Sequence, residues 1–329
     1  MKQTKKRPST GKRKALMVLN SFLAVILALM LGATALAHLL MNKMNRVDAP
    51  QPDQSFPGTT VSGDYGEENA DSEELLGKGK DIINILLIGQ DRREGEDRAR
   101  SDAMILVTVN KDTKSIVLTS FLRDLYVAIP GYGNNRINAS YTFGGMELLN
   151  QTLEQNFGIY VDGNVEVDFN QFSEIVDLIG GVEITLRSDE AQMINGDVGG
   201  SLTEGDQRLN GAQALSYARI RKLDADGDFS RTQRQRTLIN AIIRQMKDAG
   251  VVNLLKIVDD VLPMITTDMS NTQIIGMATA LLPMLTGAEI TSQRIPADGT
   301  YSYAKVDGMS VLKPDLDANR KLLWDTLGG

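Results

Sequence analysis

Cysteine is absent from this 329-residue chain, and histidine occurs once, as His38. The first absence excludes a disulfide framework, a thiol nucleophile and a thiolate metal site. It suits a protein exposed to oxidising surroundings but assigns no compartment. The second matters more, because His38 lies in an apolar N-terminal stretch. Any chemistry further along the chain must proceed without an imidazole as base or ligand. Acidic residues are missing from positions 1–46, which hold nine Lys or Arg and carry +9. The whole chain is at -7, so residues 47–329 carry -16. An acidic body does not attract nucleic acid through its net charge, and no helix-turn-helix pattern or internal repeat is present.

The uncharged run ALMVLNSFLAVILALMLGATALAHLLM, Ala15 to Met41, is 27 residues long. At 1.5 Å per residue it crosses a hydrocarbon core of ~30 Å. Lys2, Lys5, Lys6, Arg7, Lys12, Arg13 and Lys14 precede it, and only Lys43 and Arg46 follow closely. This bias predicts a basic cytoplasmic tail over 1–14, a transmembrane helix over 15–41 and an extracellular C-terminal body. A cleaved signal peptide is the rival, since ATALAH supplies small residues, but the apolar run exceeds a usual signal core. Residues 42–80, rich in Pro, Gly, Ser and acid, read as an extracellular linker. Residues 81–329 read as one folded domain, with its motifs over 81–250.

Within that domain, DIINILLIG reads as a buried strand. AMILVTVN and KSIVLTSF, joined by KDT, read as an antiparallel hairpin. LYVAIP is a fourth short strand, and NVEVDF and VEITL are further ones. Met146, Leu149, Leu153 and Phe157 mark a helix that stops at Gly158. QFSEIVDLIGG and GAQALSYARIR read as helices. Leu238, Ile239, Ile242, Ile243 and Met246 form one face of another, with Ser230 and Gln233 as a capping box and Gly250 as its stop. Two helices are expected within 251–286, a strand at EITSQRIPA and a last helix over about 315–327. The class implied is α/β, with a mixed, largely antiparallel sheet flanked by helices.

The stretch SYARIRKLDADGDFSRTQRQR concentrates Arg219, Arg221, Arg231, Arg234 and Arg236. With Ser230 as N-cap, Arg231 and Arg234 fall in the first helical turn, where the macrodipole disfavours cations but favours an anion. Arg231 and Gln235 share a face at i, i+4. Planar guanidinium forks suit phosphate oxygens. The competing reading pairs these arginines with Asp224, Asp226 and Asp228. In IGQDRREGEDRARSDAM, Asp91 follows one strand and Asp102 precedes the next, a placement that lets two carboxylates converge on magnesium. Arg100 stands beside Asp102. A charged loop neutralised by its own arginines explains the same residues. Arg123 and Asp124 end the third strand, as phosphate contact or as a simple ion pair. INASY, with Asn138 and Tyr141, fits either a turn leading into a helix or part of the same site.

These segments, in this order and spacing, resemble the LytR-CpsA-Psr family. The resemblance is carried by Gly89, Asp91 and Arg93, by RSDAM, by Ser120, Arg123 and Asp124, and by INASY. VDLIGGVEI, LNGAQALSYARIRK and GDFSRTQRQR complete it, over roughly half the chain. One departure is Leu122, where the family commonly has proline. The resemblance implies a membrane-anchored phosphotransferase. Such an enzyme moves a glycopolymer from a polyprenyl-pyrophosphate carrier to peptidoglycan, forming a phosphodiester. It implies Asp91 and Asp102 as magnesium ligands. Arg100, Arg123, Arg219, Arg221, Arg231 and Gln235 would be pyrophosphate contacts, with Arg123 and Arg231 also in catalysis. Asp228 would be a base or an orienting carboxylate. Phosphoryl transfer needs positioning and charge stabilisation rather than histidine. A lipid-sensing regulator and a pyrophosphatase with water as acceptor are the alternatives. The apolar residues of NVEVDF and of the 238–246 face, candidates for a lipid-tail pocket, are first of all core residues.

Overall fold

The computed structural model describes residues 42–47, 75–79, 81–90, 101–224, 227–248, 257, 259–281 and 288–328. The candidate membrane span at 15–41, Asp226 and Gly250 lie outside the described residues. No helix among the described residues is long and apolar enough to cross a membrane.

In chain order the strands are β1 (Asn45–Arg46), β2 (Ile82–Gln90), β3 (Ser101–Asn110), β4 (Ser115–Phe121), β5 (Tyr126–Ile129), β6 (Gly133–Arg136) and β7 (Gly163–Asp168). They continue with β8 (Val182–Leu186), β9 (Gly205–Leu209), β10 (Thr266–Thr267), β11 (Glu289–Ile295), β12 (Tyr301–Val306) and β13 (Met309–Pro314). The helices are α1 (Asn138–Phe157), α2 (Phe169–Leu178), α3 (Ser188–Val198), α4 (Gly211–Arg219), α5 (Asp228–Asp248), α6 (Asn271–Leu281) and α7 (Leu316–Leu323).

Seven strands form the central sheet in the order β1-β10-β7-β2-β3-β4-β11. It is mixed, as expected. Its pairings divide evenly, with β1/β10, β2/β7 and β4/β11 parallel and β10/β7, β2/β3 and β3/β4 antiparallel. The strand expected at LYVAIP exists but leaves this sheet and pairs with β6 as a separate hairpin. Four residues of alternating burial satisfy either location, so the sequence pattern did not distinguish them.

Alternation along β2 and β3 divides the sheet's apolar residues between two layers. Leu86, Ile88, Met104 and Leu106 face a core closed by Leu149, Leu153 and Phe157 of α1. Ile105, Val109, Ile116 and Leu118 face the other way, where Ile239 of α5 packs on them. A separate core joins α2, α4, α5 and the β8/β9 hairpin through Val176, Val182, Leu209, Ala214 and Leu238. Helix α5 thus belongs to two cores at once. Gly211 opens α4 at its crossing with α2, where a Cβ would stand 2.0 Å from the Ser173 carbonyl oxygen.

Helix α1 ends at Gly158, whose φ of 66° is the left-handed cap expected of that glycine. It begins earlier than the apolar spacing indicates, at Asn138, and breaks at Gly144 and Gly145. Two pieces of the stretch read as linker carry structure. Asn45–Arg46 pairs with Thr266–Thr267, and Leu76, 3% exposed, bridges to Ile159 in the first core. Segments this short have no hydrophobic period, so composition alone marks them as linker.

Candidate functional site

The C-terminal ends of β2 and β4 and the start of β3 meet at one end of the sheet. There the ladder slips. Gly89 pairs with Ala103 but Gln90 pairs with Ser101, leaving Asp102 as a bulged, unpaired residue. A bulge re-aims side chains at a strand end. Here the Asp102 carboxylate accepts from Arg123 Nη1 at 2.7 Å, and its carbonyl accepts from Arg231 Nη2 at 3.2 Å.

The beginning of α5 corrects the expected cap. The helix starts at Asp228, not after Ser230, and Gly227 accepts the Arg231 N–H at 3.2 Å. Ser-x-x-Gln is a sound capping pattern, but Gly227, with φ 42°, turns the chain into the helix one residue before Asp228. Asp228 therefore lies in the first turn, where a carboxylate suits the macrodipole. Its Oδ1 lies 2.8 Å from Arg231 Nη2, 3.6 Å from Arg123 Nε and 4.0 Å from Arg221 Nε. Both Asp228 oxygens, Arg231 Nε, Arg123 Nε and Gln235 Oε1 are buried without a hydrogen-bond partner.

A cleft of about 630 Å³ opens over this group. Asp102, Arg123, Arg219, Arg221, Arg231 and Gln235 all line it, so six residues singled out in the sequence share one cavity. Asp228 lies against its arginines. Asp91 and Arg100 lie outside the described residues. Arg219 stacks on Phe169, 4.6 Å from the ring centroid. Burial pushes the Arg231 pKa down to about 10; Asp228 opposes this, and the charges of Arg123 and Arg221 add to it. Arg123 also feels burial most, but Asp228, Asp102 and Asp124 together hold its pKa above the ordinary value. The cleft is a cationic surface whose guanidiniums are only partly neutralised, which is what an anionic ligand requires.

Not every arginine of the cluster belongs here. Arg234, 4% exposed, donates to Glu190 at 2.8 Å, to Asp224 and to the Ile220 carbonyl at 3.3 Å. Arg187 donates to the other Asp224 oxygen at 2.9 Å, and its N–H to Glu190 at 3.0 Å. For Arg234 the ion-pair reading of the sequence is therefore the correct one. This clamp ties α3 and α5 to the Ile220–Asp224 loop, which presents Arg221 to the cleft. Glu190 was missed because it sits in α3, a polar helix without a clear apolar period. Lys222, Asp197 and Ser216 also line the cleft unpredicted; Lys222 was visible in RKLD, whereas nothing in the sequence marks Asp197.

INASY is the entry to helix α1, which begins at Asn138, and none of its residues lines the cleft. Tyr141 donates to buried Glu166 and accepts from Gln90 Nε2 at 3.1 Å, so it braces the end of β2. At Leu122 the N–H donates to the Ile295 carbonyl at 2.9 Å. A proline could not make that bond, so the leucine adds a link between β4 and β11 just before Arg123.

The chain matches the LytR_cpsA_psr family model over residues 54–324. It belongs to the LytR-CpsA-Psr family. It is 34% identical over 275 residues to polyisoprenyl-teichoic acid–peptidoglycan teichoic acid transferase TagT of Bacillus subtilis strain 168, covering 82% of this chain and 84% of TagT. It is 32% identical over 251 residues to regulatory protein MsrR of Staphylococcus aureus strain COL, covering 74% of each. A solved structure of the LytR-CPS2A-psr family protein YwtF (TagT), with bound octaprenyl pyrophosphate lipid, superposes with a TM-score of 0.59 at 31% identity. It covers 76% of this chain and 92% of that one. Membership accounts for the mixed α/β fold with its helix-flanked sheet.

Proposed function

We propose that this LytR-CpsA-Psr protein is a phosphotransferase that moves an anionic glycopolymer from a polyprenyl-pyrophosphate carrier to peptidoglycan. The observation that carries this reading is the convergence of Arg123, Arg219, Arg221 and Arg231 on one cleft. The transferase name of TagT and the octaprenyl pyrophosphate in its solved structure agree with it. In this reading the guanidiniums grip the diphosphate and Gln235 adds a polar contact. Arg100, two residues before Asp102 in the sequence, would join them. An acceptor sugar hydroxyl attacks the glycan-bearing phosphorus. A new P–O bond forms, the P–O bond to the carrier breaks, and polyprenyl phosphate leaves with its charge held by Arg123 and Arg231. The hydroxyl proton passes to a base. Asp228 is one candidate, but its neighbours are three guanidiniums, which favours its role as the carboxylate that orients them.

Magnesium is part of the proposal. Among the described residues no group of three or more acidic or histidine side chains forms a metal cage. Asp102 is a partly exposed carboxylate on the cleft wall. That donor set fits an ion that takes one or two carboxylates and completes its shell with water and substrate phosphate. Asp102 and Asp91 would hold it. When bound, magnesium would neutralise phosphate oxygens. The 15–41 span would anchor the protein with its body outside the cell, within reach of a lipid-linked donor and the wall.

The deciding experiment takes the full chain in detergent with a synthetic polyprenyl-pyrophosphate oligosaccharide, magnesium and a peptidoglycan oligomer. Acceptor-dependent glycan transfer with release of polyprenyl phosphate is expected. Release that ignores the acceptor would replace the transferase by a pyrophosphatase. The regulatory name of MsrR keeps one further reading in play: tight lipid binding without turnover would make the protein a sensor.

A further inference from the structure

A second cationic centre lies beside the cleft and outside it. Arg236, on α5, is only 4% exposed. Its Nη2 donates to Gln233, one turn back. Its Nε and Nη1 are buried with no hydrogen-bond partner, and among the described residues it makes no ion pair. Burial pushes its pKa down to about 10, and the charge of Arg294 adds to the effect. Arg294 stacks on Phe229 at 4.6 Å, its Nε is also buried and unpartnered, and its outer nitrogens bind Asp298. Asp298 is 83% exposed at the side chain, so it can swing away.

The sheet adds a third donor. Arg294 on β11 is the register partner of Ser120 on β4, and opposed residues share a face. Leu118, two residues before Ser120, packs with Ile239 of α5. Ser120 and Arg294 therefore face α5, the helix that carries Arg236. Ser120 Oγ is buried without a partner. Two guanidiniums and a hydroxyl, all with unused hydrogen-bonding capacity, face one layer between α5 and the β4/β11 edge. A buried, uncompensated charge is costly, and a second cation beside it makes it worse. An oxyanion removes both costs, and planar forks with a hydroxyl match phosphate geometry.

We propose that Arg236, Arg294 and Ser120 form a phosphate-class anion site distinct from the arginine cleft. Phe229 forms its wall, and displacement of Asp298 from Arg294 opens it. The phosphate comes either as the free ion or as the head group of a prenyl phosphate. The assignment does not depend on the transferase reading, because its test measures binding and thermal stability, not turnover.

The test uses the full chain in detergent at low ionic strength, wild type against Arg236→Met, with inorganic phosphate as probe. Without phosphate, Arg236→Met should melt at or above the wild-type temperature, because it removes an unneutralised buried cation. With phosphate the order should reverse, since only the wild type gains from the second site. Equilibrium dialysis should show one phosphate fewer bound by Arg236→Met, or at least about a tenfold loss at one site. A merely structural arginine predicts the opposite pattern, a variant less stable at every phosphate concentration with unchanged stoichiometry, and that would overturn the proposal. Arg294→Gln, on a partly exposed side chain, reads the same loss if Arg236→Met fails to fold. Farnesyl phosphate then separates the sources. Displacement of the Arg236-dependent phosphate assigns the site to a lipid head group, and failure to displace it assigns the free ion.

Discussion

Arg123 Nη1 donates to Asp102 Oδ1 across 2.7 Å, joining the turn after β4 to the bulged residue of β3. The same guanidinium lies 3.8 Å from Asp124 and 3.6 Å from Asp228. Arg123 is the centre of the site's charge pattern rather than one of several equal cations. Arg123→Ala should lower glycan transfer by about 100- to 1000-fold, the range for losing a charge-stabilising donor, while the protein still melts cooperatively. Arg123→Lys should recover only part of the rate, because an ammonium cannot fork between two carboxylates and a phosphate. Single-turnover transfer assays and thermal melts check both. Near-normal turnover in a folded alanine variant would remove Arg123 from the mechanism.

Asp102 is the described half of the proposed magnesium pair. Asp102→Asn should move the magnesium dependence of turnover to concentrations about tenfold higher, in line with loss of a charged ligand. A titration of transfer rate against magnesium, in wild type and variant, measures the displacement. Superimposable curves would mean that Asp102 serves only Arg123.

The Arg234–Glu190 pair is buried, with side chains 4% and 6% exposed. Arg234→Met strands Glu190 in the interior and should cost about 3–5 kcal/mol, as breaking buried pairs does. Arg234→Met combined with Glu190→Met should be more stable than the single variant, because no charge is then left alone. Urea unfolding of the set gives the comparison. A single variant within about 0.5 kcal/mol of wild type would show that the clamp is solvated in solution.

The clamp also has a pH signature. The Arg234 guanidinium holds the Asp224 carboxyl below the usual carboxylate range, against burial, which pushes it up, and Arg187 adds to the lowering. Folding therefore favours the ionised form. The stabilisation is complete above the unfolded pKa of about 4 and disappears as pH falls through the lower folded value. Asp224→Asn should lose stability at pH 7 and show a shallower decline as pH falls below about 4. Denaturant midpoints across that window test it. A decline as steep as in the wild type would assign the acid sensitivity to other carboxylates.

Much of this arrangement was legible in the sequence because its signals are local. Apolar runs bounded by turns located β2, β3, β4, β7 and β11, and Gly158 marked the end of α1. The crowding of arginines between Ala218 and Arg236 pointed to an anion, and six of the residues chosen share the cleft. What was not legible depends on distant partners. Arg231 and Arg234 look alike in RTQRQR. Both are buried, and only Glu190 and Asp224, brought up by α3 and the Ile220–Asp224 loop, close one into a clamp and leave the other on the cleft wall. The start of α5 turned on a choice between two good N-terminal patterns, which the backbone at Gly227 decides. The β5/β6 hairpin separates from the main sheet for reasons of packing that four residues cannot encode.

The bulge at Asp102 works as a compensated frameshift. Ser101 opposes Gln90 and so faces the same way as Met104 and Leu106, although odd and even numbers would normally point to opposite sides. One surplus residue resets the parity and leaves its own side chain to the cleft. A deletion within β3 could be absorbed only by erasing this step, and Asp102 would then be drawn into the ladder. A deletion elsewhere in the strand that kept the bulge would turn every residue on one side of it to the wrong layer, exchanging Met104 and Leu106 with Ile105 and Val107. A one-residue change in the length of β3 and the placement of the cleft carboxylate are thus coupled through the same step.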